Sequence, residues 1–230
     1  MKIALLGAMP EEIAPILEQL DSYEAIEYAG NTYYDGLYRS TPVVVAHSKI
    51  GKVFSTLSVT LMIEHFGATK LLFSGVAGAV NSELRVGDLV VATKLAQHDL
   101  DISIFGHPYG FVPGGSVYVR TTKSLRDLAQ EVCSELGISA KEGVIATGDQ
   151  FVASQERKEF IKKEFNADAL EMEGASVAFV CDALGVDFFI LRSISDAADM
   201  DAGFSFEEFL ESSAKISANF TLKMVEKIVS

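Results

Sequence analysis

Glu171 and Glu173 stand two residues apart in ALEMEGASVAFVCDALG (169–185), a stretch that otherwise reads as a buried strand running into a buried helix. Residues i and i+2 of a strand share a face, so the spacing predicts both carboxylates on one side and Met172 on the other. A carboxylate among apolar neighbours must be ion-paired, hydrogen-bonded or protonated. When ionised, its two oxygens can accept from two adjacent hydroxyls, which suits a ribose diol. Acids favoured by the dipole of a helix starting at GASVAF explain the same pair without a ligand. Glu11 and Glu12 follow GAM and open another helix, with Pro10 in its first turn. Capping and the dipole account for them too, and chemistry requires one of them to turn back over the sheet edge. No Lys or Arg occurs from Ile3 to Tyr38, so neither acid is paired locally. Asp196 lies just past an apolar run containing Arg192. That arrangement serves a buried Arg–Asp pair or a helix cap as readily as a reaction. SGVAGA (74–79) has GxxG spacing, not GxGxxG or GxxxxGK[ST], so a dinucleotide or triphosphate loop is not supported. Gly75 and Gly78 there allow a ligand close to the backbone, or make a tight turn.

The elements that must position these groups are short apolar runs at 2–7, 42–48, 70–75, 88–97, 142–148, 168–172 and 187–195. Several lack clean alternation, as strands covered on both faces do. Helical patterns at 11–20, 52–66, 124–137, 154–165, 174–185 and 206–229 lie between them, with Gly51 and Ser154 at starts and Gly137 and Gly185 at stops. Three consecutive strand-like pieces predict a β-meander near 22–48. The expected fold is α/β, a mixed β-sheet sandwiched by helices in a single domain, 1–230. Ligands of such folds collect at the carboxyl ends of strands, where GAMPEE, SGVAGAVN, GDQFVAS, EMEGAS and RSISDAAD fall.

Composition narrows the partners. The 230 residues are 49% hydrophobic and 22% charged, and 32 acidic against 19 basic residues give a formal charge of −13. That balance argues against a nucleic-acid or anionic-membrane partner, both of which need a basic face. Cys133 and Cys181 sit in apolar helical patterns and read as reduced core thiols of a cytoplasmic protein. His47, His65, His98 and His107 show no metal-ligand spacing. MKIALLGAMPEE turns acidic too early for a secretory leader.

Taken in order, GAMPEE, SKIGKV, SGVAGA, GDQFV, EMEGASVAFV and RSISDAAD, with SFEEFL after them, resemble the 5′-methylthioadenosine/S-adenosylhomocysteine nucleosidases along essentially the whole chain. SGVAG, EGVIATGDQFV and EMEGASVAFVC resemble most closely the branch acting on 6-amino-6-deoxyfutalosine in menaquinone synthesis. The resemblance implies a nucleoside phosphorylase/hydrolase-like fold and hydrolysis of 5′-substituted adenosines to adenine, with no metal or organic cofactor and a place in methionine salvage. By the same resemblance Glu12 is the general base and Asp196 the acid that protonates adenine. Glu173 holds the ribose hydroxyls with the Met172 backbone beside it. Phe151 stacks on adenine, and the Val152 backbone meets its hydrogen-bonding edge. Gly78 is a substrate-contacting loop position, and Arg192 and Ser195 lie in the catalytic strand.

Met9, Ile50 and Phe206 are expected around an apolar 5′ pocket. The family forms homodimers, and DISIFGHPYGFVP (101–113) matches the segment that closes the neighbour's 5′ site, through Ile102, Phe105 and Pro113. Packing of that segment inside its own subunit is the alternative. Val76 replaces the serine many relatives carry in SGVAG, leaving Glu12 and Arg192 to position the water. Two rivals share the pocket: a purine nucleoside phosphorylase and a non-catalytic adenosine-binding sensor.

Overall fold

The computed structural model describes residues 1–196 and 202–230, with only the backbone described at 202–205. In chain order the elements are β1 (Ile3–Gly7), α1 (Pro10–Leu17), β2 (Ser22–Tyr28), β3 (Asn31–Tyr38), β4 (Thr41–His47), α2 (Lys52–Glu64), β5 (Lys70–Ala79) and β6 (Leu89–Gln97). They continue as β7 (Val119–Arg120), α3 (Lys123–Leu136), β8 (Ala140–Thr147), α4 (Gln155–Phe165), β9 (Ala169–Glu171), α5 (Gly174–Leu184), β10 (Asp187–Asp196) and α6 (Ala202–Val229). A 3-10 turn at Ser103–Phe105 and the two-residue β7 are additions to the sequence reading. The meander appears as β2, β3 and β4, antiparallel in series.

Neighbouring strands run β10-β6-β8-β9-β5-β1-β4-β3-β2 in a mixed sheet. β10 also pairs with β5, in parallel, so β10, β6, β8, β9 and β5 close into a ring from which the β1-to-β2 half extends. The short β9 spans the gap between β8 and β5. Closure brings the ends of β5, β8, β9 and β10 around one opening.

The absence of alternation in the strands follows from burial on both faces. Ala4 and Leu6 of β1 point into one core cluster, and Ile3 and Leu5 into another. β4 splits the same way, Val44 and Ala46 against Val43 and Val45. Val59 and Met62 of α2 and Val177 and Cys181 of α5 cover the first face. Ile13 and Ile16 of α1, Leu125 and Val132 of α3 and Phe220 and Val225 of α6 cover the second. Each such aliphatic or aromatic side chain stabilises the fold by roughly 1.5–3 kcal/mol on burial. The stop glycines behave as expected, Gly137 and Gly185 adopting left-handed φ values of 64° and 66°. Ser154 caps α4 by accepting the Arg157 N–H.

β5 corrects one expectation. SGVAGA is strand, not loop: Gly78 pairs with Leu170 of β9 and with Asp196 of β10. Gly75 answers a packing demand instead of a turn, because a Cβ there would stand 2.5 Å from a Glu12 carboxylate oxygen.

Candidate active site

A cavity opens at the carboxyl ends of the central strands, between α1 on one side and the segments after β8 and β9 on the other. Its wall includes Met9, Glu12, Ile50, Val76, Gly78, Phe151, Val152, Met172, Glu173, Ser195, Asp196 and Phe206, together with Ala8, Ala77, Gln150, Leu170 and Glu171. The structure thus gathers onto one surface residues that are as far apart in sequence as Ala8 and Phe206.

The two acids of α1 part ways. Glu11 faces solvent, whereas Glu12 is 2% exposed. The Glu12 carboxylate turns back over the sheet edge and accepts the backbone N–H groups of Ala8, of Met9 at 3.0 Å and of Val76 at 2.9 Å. The Met9 contact is the acid half of a capping box. The Val76 contact belongs to the sheet, and it locks the first turn of α1 onto β5. Burial pushes the Glu12 pKa up, against the Arg192 charge and the three N–H groups, which pull it down. A desolvated carboxylate held in one orientation is a stronger base than a solvated one.

Glu171 and Glu173 do not share a face. β9 ends at Glu171, and Glu173, with φ −134° and ψ −36°, is the N-terminal cap residue of α5. Chain reversal at the helix start sends the two side chains to different partners. Glu171 accepts from Arg192 Nη2 at 2.6 Å, from the Gly174 N–H at 2.6 Å, from the Glu173 N–H at 3.2 Å and from the Thr147 hydroxyl. Its carboxylate thus meets an ion-pair partner and a helix N-terminus together. Glu173 accepts the Gly51 N–H at 2.7 Å. Burial and the neighbouring Glu171 charge raise its pKa to about 8, with Glu12 adding to the rise and Gly51 and Arg192 opposing it.

Arg192 lies in β10, the strand expected to carry it. Its guanidinium is buried, donates to Glu171, to Leu191 O at 3.1 Å and to Phe73 O at 3.5 Å, and lies over the Phe73 ring at 4.0 Å. It is absent from the cavity wall. Carboxylate and ring occupy it from behind, so its influence reaches the cavity through Glu171 and through its charge on Glu12.

Asp196 is 4% exposed at the end of β10, past a register shift between Ile194 and Asp196. The Ser195 hydroxyl donates to its Oδ2 at 2.9 Å. The remainder of RSISDAAD, 197–199, lies outside the described residues. At the mouth, the half-exposed Phe151 meets Phe206 edge to face, with centroids 5.9 Å apart. Ile50 stands at the rim, 57% exposed. Ile102, Phe105 and Pro113 do not line this chain's own cavity; Phe105 is 78% exposed.

Sequence reasoning left Glu171 without a role and treated Gly51 only as a helix start. Gly51 supplies the N–H that orients Glu173. Its φ of 98° admits glycine above all other residues.

Among the described residues no group of three His, Cys, Asp or Glu side chains is arranged to hold a metal ion, and no helix is long and apolar enough to cross a membrane. The cavity presents four carboxyl groups, two aromatic rings and apolar groups, suited to a neutral ring-bearing ligand with hydroxyls.

Comparison with known proteins agrees. The chain matches the phosphorylase superfamily over residues 2–229. It is 60% identical to the aminodeoxyfutalosine nucleosidase of Campylobacter jejuni over 99% of this chain and 100% of that one. A futalosine hydrolase of Helicobacter pylori strain 26695 superposes with a TM-score of 0.97 at 54% identity, covering 99% of this chain and 98% of that one. A 5′-methylthioadenosine/S-adenosylhomocysteine nucleosidase from Helicobacter pylori, solved with butyl-thio-DADMe-Immucillin-A, gives 0.96 at 55% identity, covering 99% of this chain and 98% of that one. The chain belongs to the phosphorylase superfamily, among its aminodeoxyfutalosine and 5′-methylthioadenosine/S-adenosylhomocysteine nucleosidases.

Proposed function

We propose that this protein hydrolyses the N-glycosidic bond of 5′-substituted adenosines, 6-amino-6-deoxyfutalosine first among them, with methylthioadenosine and S-adenosylhomocysteine also accepted. Adenine is a poor leaving group as an anion, so Asp196 protonates it as the bond breaks. Glu12 takes a proton from the attacking water on the other face of the sugar. Positive charge develops on the ribose, and Glu173, holding its hydroxyls beside the Met172 backbone, strengthens its grip as that charge appears. Phe151 stacks on the base, and the Val152 backbone meets its edge. Gly78 and Ser195 flank the acid, and Met9, Ile50 and Phe206 cover the 5′ substituent. The single observation carrying the hydrolase reading over the phosphorylase one is the absence of any cationic side chain from the wall among the described residues. Glu12, Glu171, Glu173 and Asp196 line it, and no Lys or Arg does among the described residues. A phosphate dianion would meet carboxylates with no cation to hold it.

The expected result is adenine release from all three substrates in phosphate-free buffer, while AMP is refused because its charge would be stranded in the same wall. Strict dependence on added phosphate, with ribose-1-phosphate as product, would overturn this reading.

The reading includes a homodimer working in the cytoplasm and serving methionine salvage as well as menaquinone synthesis. What supports the dimer is apolar surface. Val53, Phe54 and Leu57 of α2 are 75%, 47% and 41% exposed, and Ile104 and Phe105 are 88% and 78% exposed. Exposed apolar area of this kind marks association surfaces. In the dimer Ile102, Phe105 and Pro113 close the 5′ end of the partner's site. Sedimentation velocity is expected to give twice the chain mass for the native protein and the chain mass for Val53→Asp/Leu57→Asp. A native monomer would refute it.

A further inference from the structure

The parts of the cavity that meet the ribose and the base belong to different elements. Glu173 takes its N–H from Gly51, at the start of α2. Phe151 and Val152 stand on the segment following β8. Side chains outside the cavity wall join the two. Gly51 has no side chain with which to cap α2, and Asp149, from the β8 segment, caps it instead, its Oδ1 accepting the Lys52 N–H at 2.8 Å. The same oxygen would lie 2.9 Å from a Cβ on Gly51, so the two segments meet backbone to side chain with no room between them.

Asp99, two residues beyond β6, ties this junction together. Its Oδ2 accepts the Asp149 N–H at 2.8 Å, and its Oδ1 accepts from Lys52 Nζ at 2.7 Å. Lys52 Nζ also reaches Gln97 Oε1 at 3.2 Å. The side chains of Lys52 and Asp99 are 20% and 14% exposed, so their attraction is screened less than that of a surface pair. Burial opposes the charge of Asp99, but Lys52 and the Asp149 N–H outweigh it and hold its pKa below the usual value. Each oxygen of one carboxylate thus holds a different segment, one carrying the ribose contact and the other the base contact.

We propose that Asp99 and Lys52 form a clasp that sets the Gly51–Glu173 contact and the Phe151–Val152 segment at one mutual spacing, making Asp99 a positioning residue for nucleoside binding. This rests on the nucleosidase reading. A nucleoside has a fixed distance between base and diol, so a site built on two independent segments binds it well only when their spacing is held.

The test is a double-mutant cycle. Asp99→Asn keeps the shape, removes the charge and turns an NH2 toward either Lys52 Nζ or the Asp149 N–H, and it lowers kcat/KM for methylthioadenosine about tenfold, chiefly through KM. In a Glu173→Gln background the same change costs less than about threefold, because part of what Asp99 secures is already lost. A residue needed only for stability would give equal losses in both backgrounds. Equal losses, or no loss in the otherwise native enzyme, overturn the clasp. Lys52→Met, which keeps the backbone N–H that Asp149 accepts, is expected to show the same coupling and decides the matter if Asp99→Asn is insoluble. Native enzyme that releases no adenine refutes the nucleosidase reading and the clasp with it, whereas active enzyme with an additive cycle refutes the clasp alone.

Discussion

Glu12→Gln is expected to fold and still bind adenine nucleosides while turning over about 10²–10⁴-fold more slowly, the share that general base catalysis supplies. The amide cannot take a proton from water. The structure adds a second consequence. Ala8 and Met9 donate to one Glu12 oxygen and Val76 to the other, so whichever way the amide is turned its NH2 faces a backbone N–H. A lost buried hydrogen bond of this kind costs about 1–3 kcal/mol, partly offset by removal of a desolvated charge. A melting temperature a few degrees lower, with secondary structure retained, is the expected accompaniment. The pH profile supplies an independent check. Glu12 acts as a base only when ionised, and burial raises its pKa above 4.5, so activity falls as pH drops through a value above the ordinary glutamate range. Ionisation of a group with a raised folded pKa also works against the fold, so this glutamate's contribution to stability is greatest at low pH and declines as pH rises through the folded value. Single-turnover adenine release, a thermal melt and kcat/KM against pH test all three points. Turnover within a few-fold of the native enzyme would mean that Glu12 is only a helix-terminal acid.

Asp196→Asn should be as damaging to turnover, by about 10²–10⁴-fold, and should change what the enzyme prefers. Aspartate can accept from the exocyclic amine of adenine and pass a proton to the ring. Asparagine brings a donor that suits a 6-carbonyl instead. The Ser195 hydroxyl that donates to Asp196 Oδ2 at 2.9 Å can donate equally to an amide carbonyl, and a thermal melt checks that the fold is kept. Relative hydrolysis of adenosine-type and inosine-type substrates by both forms is the measurement. The mutant should lose adenosine-type activity more than inosine-type activity. An unchanged adenine preference would place recognition of the base elsewhere, at the Val152 backbone.

By itself the sequence determined the order and type of the elements, because those rest on local regularities. Strands buried on both faces must be apolar without alternation, as in β1, β4 and β10. Helix ends need residues of particular backbone freedom, as at Gly137 and Gly185. The ordered motifs carried the family and the list of candidate site residues. Only the tertiary structure decided which of two adjacent acids is buried and whom each one meets. Glu12 is set apart from Glu11 by a backbone N–H donated from Val76, 64 residues away, and Glu173 from Glu171 by one donated from Gly51, 122 residues away. SGVAGA reads as a stretch where a ligand nears the backbone or the chain turns, yet it is strand, and Gly75 is small because a carboxylate from α1 lies against it. Arg192 sits in the expected strand but is held behind the cavity by Glu171 and Phe73. Burial is a property of the residues packed around a group, and here those residues are brought from distant parts of the chain by a sheet that closes on itself.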